Sequence, residues 1–304
     1  MARERNILIV VNPASGRSTY EERLECLKER LLQSDLKFAE FYTELEGVGI
    51  LSSFLNTNPK VNEIIVLGGD GTLNYVVNEL LENQLPISIV SNGTGNDSVK
   101  SLHGVRDFEK QVEIAIHGRI QRFDLGLCNG RAFVNGLGIG FDGQVVEQMS
   151  KRNKKRGSHL DYLMTVLKTV AGFREKNLSF SLDGKKFTRK ILLMTVSNGT
   201  TFGGGFVINP YARSTDGLLD ICVLNEISPL ARFWHLPKLK TGAHDALKAS
   251  EFYKARKVHI ERSGELVAHL DGEFIGHCLL YTSPSPRDGE THLVCRLLLE
   301  KRGG

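Results

Sequence analysis

The sequence predicts two domains of different class: an N-terminal parallel α/β domain over residues 1–125 and a C-terminal antiparallel β-sandwich over residues 126–277. Residues 278–304 follow as an atypical tail. Three observations carry this reading. Up to residue 117 the chain repeats an apolar run, a loop of small polar residues and an amphipathic helical pattern, as a parallel sheet with its loops along one edge requires. From Gly126 onward, glycine and β-branched residues dominate in short runs with an Asp183-Gly184 turn, the texture of antiparallel strands. A length of 304 residues also exceeds one ordinary domain and suffices for two cores.

Asn6 to Val11 reads as the first strand, closed by Asn12-Pro13-Ala14-Ser15-Gly16, where proline removes a donor and glycine breaks the pattern. Leu24, Leu27, Leu31 and Leu32 then recur at helical spacing in Tyr20 to Leu32. Lys37 to Tyr42 is a second strand, ending at Thr43. Glu63 to Leu67 is a third, followed by Gly68-Gly69-Asp70-Gly71-Thr72 and a helix striped by Leu73, Val76, Val77, Leu80 and Leu81. A fourth strand, Pro86 to Val90, runs into Ser91-Asn92-Gly93-Thr94-Gly95-Asn96-Asp97, and Asp107 to His117 is one more helix.

The glycines of the 68–72 loop let backbone approach a bulky group closely, and exposed amides opening into a helix N-terminus bind anions, so the expected ligand is phosphate. Three such loops, after the first, third and fourth strands, are expected to converge. Residues 123–126, Phe-Asp-Leu-Gly, mark the change of texture. The expected strands beyond it are Arg131 to Asn135, Leu178 to Leu182, Lys186 to Arg189, Ile191 to Val196, Leu218 to Leu224, Lys257 to Glu261 and Leu266 to Leu270. One helix, Leu230 to Thr241, interrupts them.

Gly138-Ile139-Gly140-Phe141-Asp142-Gly143 matches a dinucleotide fingerprint in spacing, but the strand-borne acid expected some twenty residues later is replaced by the basic run Lys151 to Arg156. These glycines are instead expected to form tight turns lining the cleft between domains. The basic run, with the amphipathic Leu160 to Phe173 after it, reads as a solvated face or as a dock for anionic lipid headgroups. Two carboxylates, Asp271 and Glu273, lie two residues apart on a segment read as extended, where either could take a proton from an alcohol.

The composition, 41% apolar and 24% charged, is that of a globular protein, and the net charge of +4 argues against a dedicated nucleic-acid binder. With neither an 18-residue apolar span nor a signal pattern, the expectation is a cytoplasmic protein, at most peripheral to a membrane. Five scattered cysteines without paired spacing suggest neither a disulfide framework nor a zinc site.

Taken together, Val11 to Gly16, Gly68 to Thr72 and Gly93 to Asp97 resemble the three ordered nucleotide-site motifs of the diacylglycerol kinase catalytic-domain superfamily. Its bacterial members include soluble diacylglycerol kinases and YegS-like lipid kinases. The resemblance runs from Asn6 to Glu273. It implies an NAD kinase/diacylglycerol kinase-like fold and an ATP-dependent lipid kinase using ATP and Mg²⁺. By that resemblance ATP is held by Asn12, Pro13, Ala14, Ser15, Gly16, Thr43, Gly68, Gly69, Asp70, Gly71, Thr72 and Thr94. Glu273 is the proton acceptor with Asp271 its neighbour, and a structural magnesium takes the Asp216 side chain and the carbonyls of Arg213 and Leu218.

The implied partners are a lipid alcohol substrate and an anionic membrane surface, with no nucleic acid, and a homodimer is among the assemblies allowed. Rival readings are an NAD kinase, which shares Gly-Gly-Asp-Gly-Thr but is expected to carry an Asn-Glu motif after it, and a non-catalytic lipid or nucleotide sensor. The resemblance stops after Glu273. Cys278 to Asp288 reads like one frame of a sequencing-library adapter, so the tail is expected to be an assembly artefact lacking the family's closing strands.

Overall fold

The computed structural model describes residues 4–297, save 17–18, 44–48, 82, 84, 94, 106, 152–158, 262–265, 277–279 and 285–291. It divides into two compact units, Met1–Asp124 with Arg287–Gly304, and Leu125–Pro286.

The first unit runs β1 (Asn6–Val11), α1 (Tyr20–Gln33), β2 (Lys37–Tyr42), α2 (Ile50–Thr57), β3 (Glu63–Gly68), α3 (Asp70–Glu79), β4 (Pro86–Ser91), α4 (Asp97–Leu102), α5 (Phe108–His117) and β5 (Arg119–Asp124). Strands β2, β1, β3 and β4 lie side by side and parallel. Their apolar runs are continuous because helices cover a parallel sheet on both faces: every residue of β3 is buried, as are all but the first of β1. The register pairs Val11 with Tyr42 and with Leu67, and Gly68 with Ser91. All four strands therefore end at one edge, and the loops after β1, β3 and β4 leave it together. On α1 the buried stripe is Leu24, Leu27 and Leu31, whereas Leu32, expected to share it, is 66% exposed. Leu32 sits about 100° around the helix from Leu31 and so faces water.

The second unit begins with β6 (Gly126–Cys128), β7 (Arg131–Phe133), β8 (Gly136–Gly140), α6 (Phe141–Ser150), α7 (His159–Gly172), β9 (Lys176–Leu182), β10 (Lys185–Ser197), β11 (Thr201–Phe202) and β12 (Phe206–Val207). It continues with β13 (Leu219–Asn225), α8 (Pro229–Thr241), β14 (Ser250–Ala255), β15 (Val258–Ile260), β16 (Ala268–Leu270), β17 (Glu273–Gly276) and β18 (Leu280–Pro284). It is antiparallel and sandwich-like, organised on β10, which pairs with β8, β9 and β13. The two runs expected at 186–189 and 191–196 form this one strand, with a register shift between Ile191 and Leu193. Asp183 and Gly184, at φ of 47° and 88°, close the β9–β10 hairpin as the Asp-Gly pair predicts. Met194, Val196, Ile221, Val223 and Phe180 form the heart of the core.

Two expectations are corrected. Gly138 and Gly140 are not in turns but in buried β8, which pairs antiparallel with β10 and β16, so no parallel βαβ unit exists there. The space a Cβ at 138 would fill is taken by side chains, Asp142 Oδ2 at 2.1 Å and His269 Nε2 at 2.3 Å, and glycine leaves it to them. The tail does supply strands: β18 pairs with β15 and β6, and β19 (His292–Leu297) pairs parallel with β4 and antiparallel with β5, extending the first unit's sheet. Ladder bonds come from the backbone, and Tyr281, Thr282 and Val294 are residue types that suit a pleated surface.

Candidate active site

In the first unit three sequence-distant loops are stitched together at the carboxyl edge of the sheet. Asn12 ties the first to the second: its side-chain NH₂ donates to Thr72 Oγ1 (2.8 Å), its backbone N–H donates to the Leu67 carbonyl, and its Oδ1 accepts from the Ala14 amide. Asn92, just past β4, ties the third to both. Its N–H donates to the Gly68 carbonyl (2.8 Å), its side-chain NH₂ to the Ser15 carbonyl (2.8 Å), and its Oδ1 accepts from Thr19 and Arg23. Asp70 opens α3 and turns its carboxylate to the start of α4, accepting from the amides of Asp97 (3.1 Å) and Ser98 (2.9 Å). Asp70 thus fixes the third loop against the second. Thr43 caps the neighbouring strand, donating through N–H and hydroxyl to the Val11 carbonyl. Pro13 and Ala14 lie in the first turn so fixed and Gly71 in the first turn of α3, while Thr94 falls outside the described residues.

The glycines here are not equivalent. A Cβ on Gly16 would strike Asn92 at 2.4 Å, one on Gly68 would strike Thr72 at 2.5 Å, and one on Gly93 would lie 2.9 Å from Gly69 Cα. Gly69 has an ordinary φ of −107°, and its added Cβ would find Gly93 Cα at 3.3 Å and Ser15 Oγ at 3.6 Å, a tight fit that small shifts relieve. Internal packing therefore demands glycine at 16, 68 and 93 more strongly than at 69, the N-cap of α3, where the first-turn amides are available to an anion. Sequence reasoning missed Asn92, Thr19 and Arg23. The available signal was an asparagine at a strand end before a glycine, in register with the other loops.

In the second unit, Asp271 and Glu273 do not share an extended segment. Asp271 and Gly272, at φ of 46° and 86°, are the two turn residues of the β16–β17 hairpin, closed by the Leu270–Glu273 pair. The Asp271 carboxylate accepts from the amides of Val134, Asn135 and Gly136 at 2.8–2.9 Å. That occupancy makes it the anchor of the turn. Glu273, about half exposed, pairs with Arg131 at the start of β7. Of the two carboxylates, Glu273 is the exposed one.

The turn before β13 holds Arg213, Asp216 and Leu218. The Asp216 carboxylate accepts from the Leu218 amide and from Lys254 Nζ (2.5 Å), which also reaches Asp220 (3.3 Å). Burial holds the Asp220 carboxyl above the usual carboxylate range, the Arg213 amide and Lys254 offsetting only part of that rise. The oxygen donors suit a hard cation by type, and the single Lys254 ammonium between the two carboxylates offsets one of their two negative charges. A magnesium bound through Asp216 competes with Lys254 for the same carboxylate. Asp216→Ala should then lower the melting temperature more in magnesium than in chelator, because only a metal-bound folded state gains from the ligand. Equal losses in both buffers identify a lysine-braced turn instead.

Comparison with known proteins agrees with this architecture. Residues 6–128 match the diacylglycerol kinase catalytic domain, and residues 136–288 match the YegS C-terminal NAD kinase beta sandwich-like domain. The diacylglycerol kinase of Bacillus subtilis (strain 168) is 27% identical over 272 residues, 88% of this chain and 89% of that protein. That of Staphylococcus carnosus (strain TM300) is 26% identical over 271 residues, 88% of each. A crystal structure of a diacylglycerol kinase from Bacillus anthracis str. Sterne shares the fold, with a TM-score of 0.69 at 22% identity over 93% of this chain and 94% of that one. With both of its domains matched in order, the chain belongs to the diacylglycerol kinase catalytic-domain family of kinases, in its form with a YegS-type C-terminal domain.

Proposed function

We propose that this protein is an ATP-dependent lipid kinase that transfers the γ-phosphoryl group of ATP to the hydroxyl of a lipid alcohol, diacylglycerol being the first candidate. The observation that carries the reading is the locking of three small-residue loops by Asn12, Asn92 and Asp70 around Gly69. Phosphoryl transfer asks a protein mainly for alignment and charge stabilisation, and rigid loop amides supply both. The acceptor oxygen bonds to the γ-phosphorus as the bond to the β,γ-bridging oxygen breaks. ADP departs, and the hydroxyl proton passes to the Glu273 carboxylate. Mg²⁺ carried with ATP neutralises charge on the β- and γ-phosphates.

In this reading Arg131 orients Glu273 and releases it when the acceptor hydroxyl arrives. The protein works in the cytoplasm and meets its substrate peripherally, at an anionic membrane surface. No helix among the described residues is long and apolar enough to cross a membrane. The basic run proposed from sequence as a lipid dock lies, apart from Lys151, outside the described residues.

The test is a labelled-ATP screen over diacylglycerol, phosphatidylglycerol, sphingosine and NAD, with Gly69→Ala alongside. A lipid alcohol is expected to be labelled, and the folded Gly69→Ala protein should show a KM for ATP raised about tenfold or more, since its Cβ intrudes where phosphate approaches backbone. Labelling of NAD alone identifies the NAD kinase alternative. Binding of ATP without labelling of any acceptor identifies a sensor.

A further inference from the structure

Helix α8 exposes an apolar stripe in addition to the face it packs on the core. Its exposed residues include Leu230, Phe233, Trp234 and Pro237, spaced i, i+3, i+4 and i+7, so one helix face turned to solvent is apolar. Leu230 and Trp234 are each 81% exposed and Phe233 is 42% exposed. The opposite face packs Leu239, Leu236 and Ala231 on the core and carries one buried charge. Arg232 is buried and paired with buried Glu175 (2.5 Å), and it donates to the carbonyls of Ile227, Val170 and Phe173. Single exposed leucines on a surface helix need no explanation, but a contiguous stripe that includes the chain's one tryptophan does.

We propose that the solvent face of α8 is a membrane-docking surface that lays Leu230, Phe233 and Trp234 into the interfacial region of an anionic bilayer. Charge selects this occupant. Lys238 and Lys240 are exposed in the last turn, and no acidic residue occurs between Glu226 and Asp245. Two copies packed face to face through this stripe bring like charges together, whereas anionic headgroups neutralise them. Tryptophan suits the depth at which one end of a side chain is apolar and the other wet. The ion pair beneath keeps the helix in place, so the stripe is presented without ordering cost at docking. The proposal deepens the lipid-kinase reading by naming the surface through which the protein reaches its substrate's phase.

Because Trp234 is the sole tryptophan, its emission reports the stripe directly. Vesicles of phosphatidylcholine with phosphatidylglycerol should shift that emission to the blue and bring it within reach of brominated acyl chains, while phosphatidylcholine alone should do so weakly. In vesicle sedimentation, Leu230→Ser with Phe233→Ser should lower affinity at least about tenfold, and Lys238→Glu with Lys240→Glu similarly, the latter loss shrinking at high salt. Phosphorylation of a detergent-dispersed lipid alcohol should be unchanged in both variants, so docking and chemistry fail separately. Unchanged emission with vesicles, or equal vesicle affinity in wild type and the serine variant, overturns the proposal. A blue shift that follows protein concentration without lipid, with a matching increase in sedimenting mass, assigns the face to a second copy and overturns it too.

Discussion

Glu273→Gln is expected to reduce turnover by roughly 10²- to 10⁴-fold while leaving ATP affinity unchanged. Glutamine keeps the size of the side chain and an oxygen acceptor for Arg131, and removes only the ability to take a proton. The position is firm, because Glu273 opens β17 directly after a two-residue turn whose geometry Asp271 fixes through three backbone amides. Steady-state rates on the labelled lipid, with ATP affinity from calorimetry, check it. A variant as fast as wild type shows that Glu273 braces the hairpin with Arg131 and is not the base. Asp271 is then a poor substitute, since both of its oxygens already accept amide hydrogen bonds that the turn requires.

The sequence was most legible where a residue type answers a backbone demand. The parallel strands announced themselves as apolar runs because both sheet faces are covered, and the Asp183-Gly184 hairpin because its turn needs positive φ. The Asp271-Gly272 pair obeys the same rule. In sequence the carboxylates of Asp271 and Glu273, two residues apart, point to an extended segment, whereas the positive φ of Asp271 and Gly272 makes it a turn. Long-range partnership was not legible. Nothing local in Lys254 tells that it sits between Asp216 and Asp220, nothing in Asn92 that it ties two other loops, and nothing in the Gly138 region that the space belongs to Asp142 and His269. Helix α2 was missed because an eight-residue helix holding two serines, an asparagine and a threonine has little local propensity. Burial of Leu51 and Leu55 holds it.

Arg232 extends that lesson to energetics, for in sequence it looks no different from Lys238 and Lys240 on the same helix. In the structure it is buried, and its guanidinium satisfies Glu175 together with the carbonyls of Val170 and Phe173 at the end of α7 and of Ile227 before α8. Cations stabilise a helix C-terminus, and a planar fork can serve several acceptors at once. Arg232→Met keeps much of the volume but strands a buried carboxylate and orphans those carbonyls, so it should destabilise the second unit by about 3–5 kcal/mol. In a unit of this size that corresponds to a melting shift on the order of 10 °C, readable by circular dichroism. Adding Glu175→Leu to Arg232→Met should return a large part of the loss, because an ion pair replaced as a whole by apolar groups leaves no uncompensated charge. A single variant that melts within a degree of wild type means the pair contributes little. Because the same pair holds α8 with its apolar stripe outward, Arg232→Met should also weaken vesicle binding with Leu230 and Trp234 intact, whereas the double substitution, if it restores the helix, should restore the docking face with it.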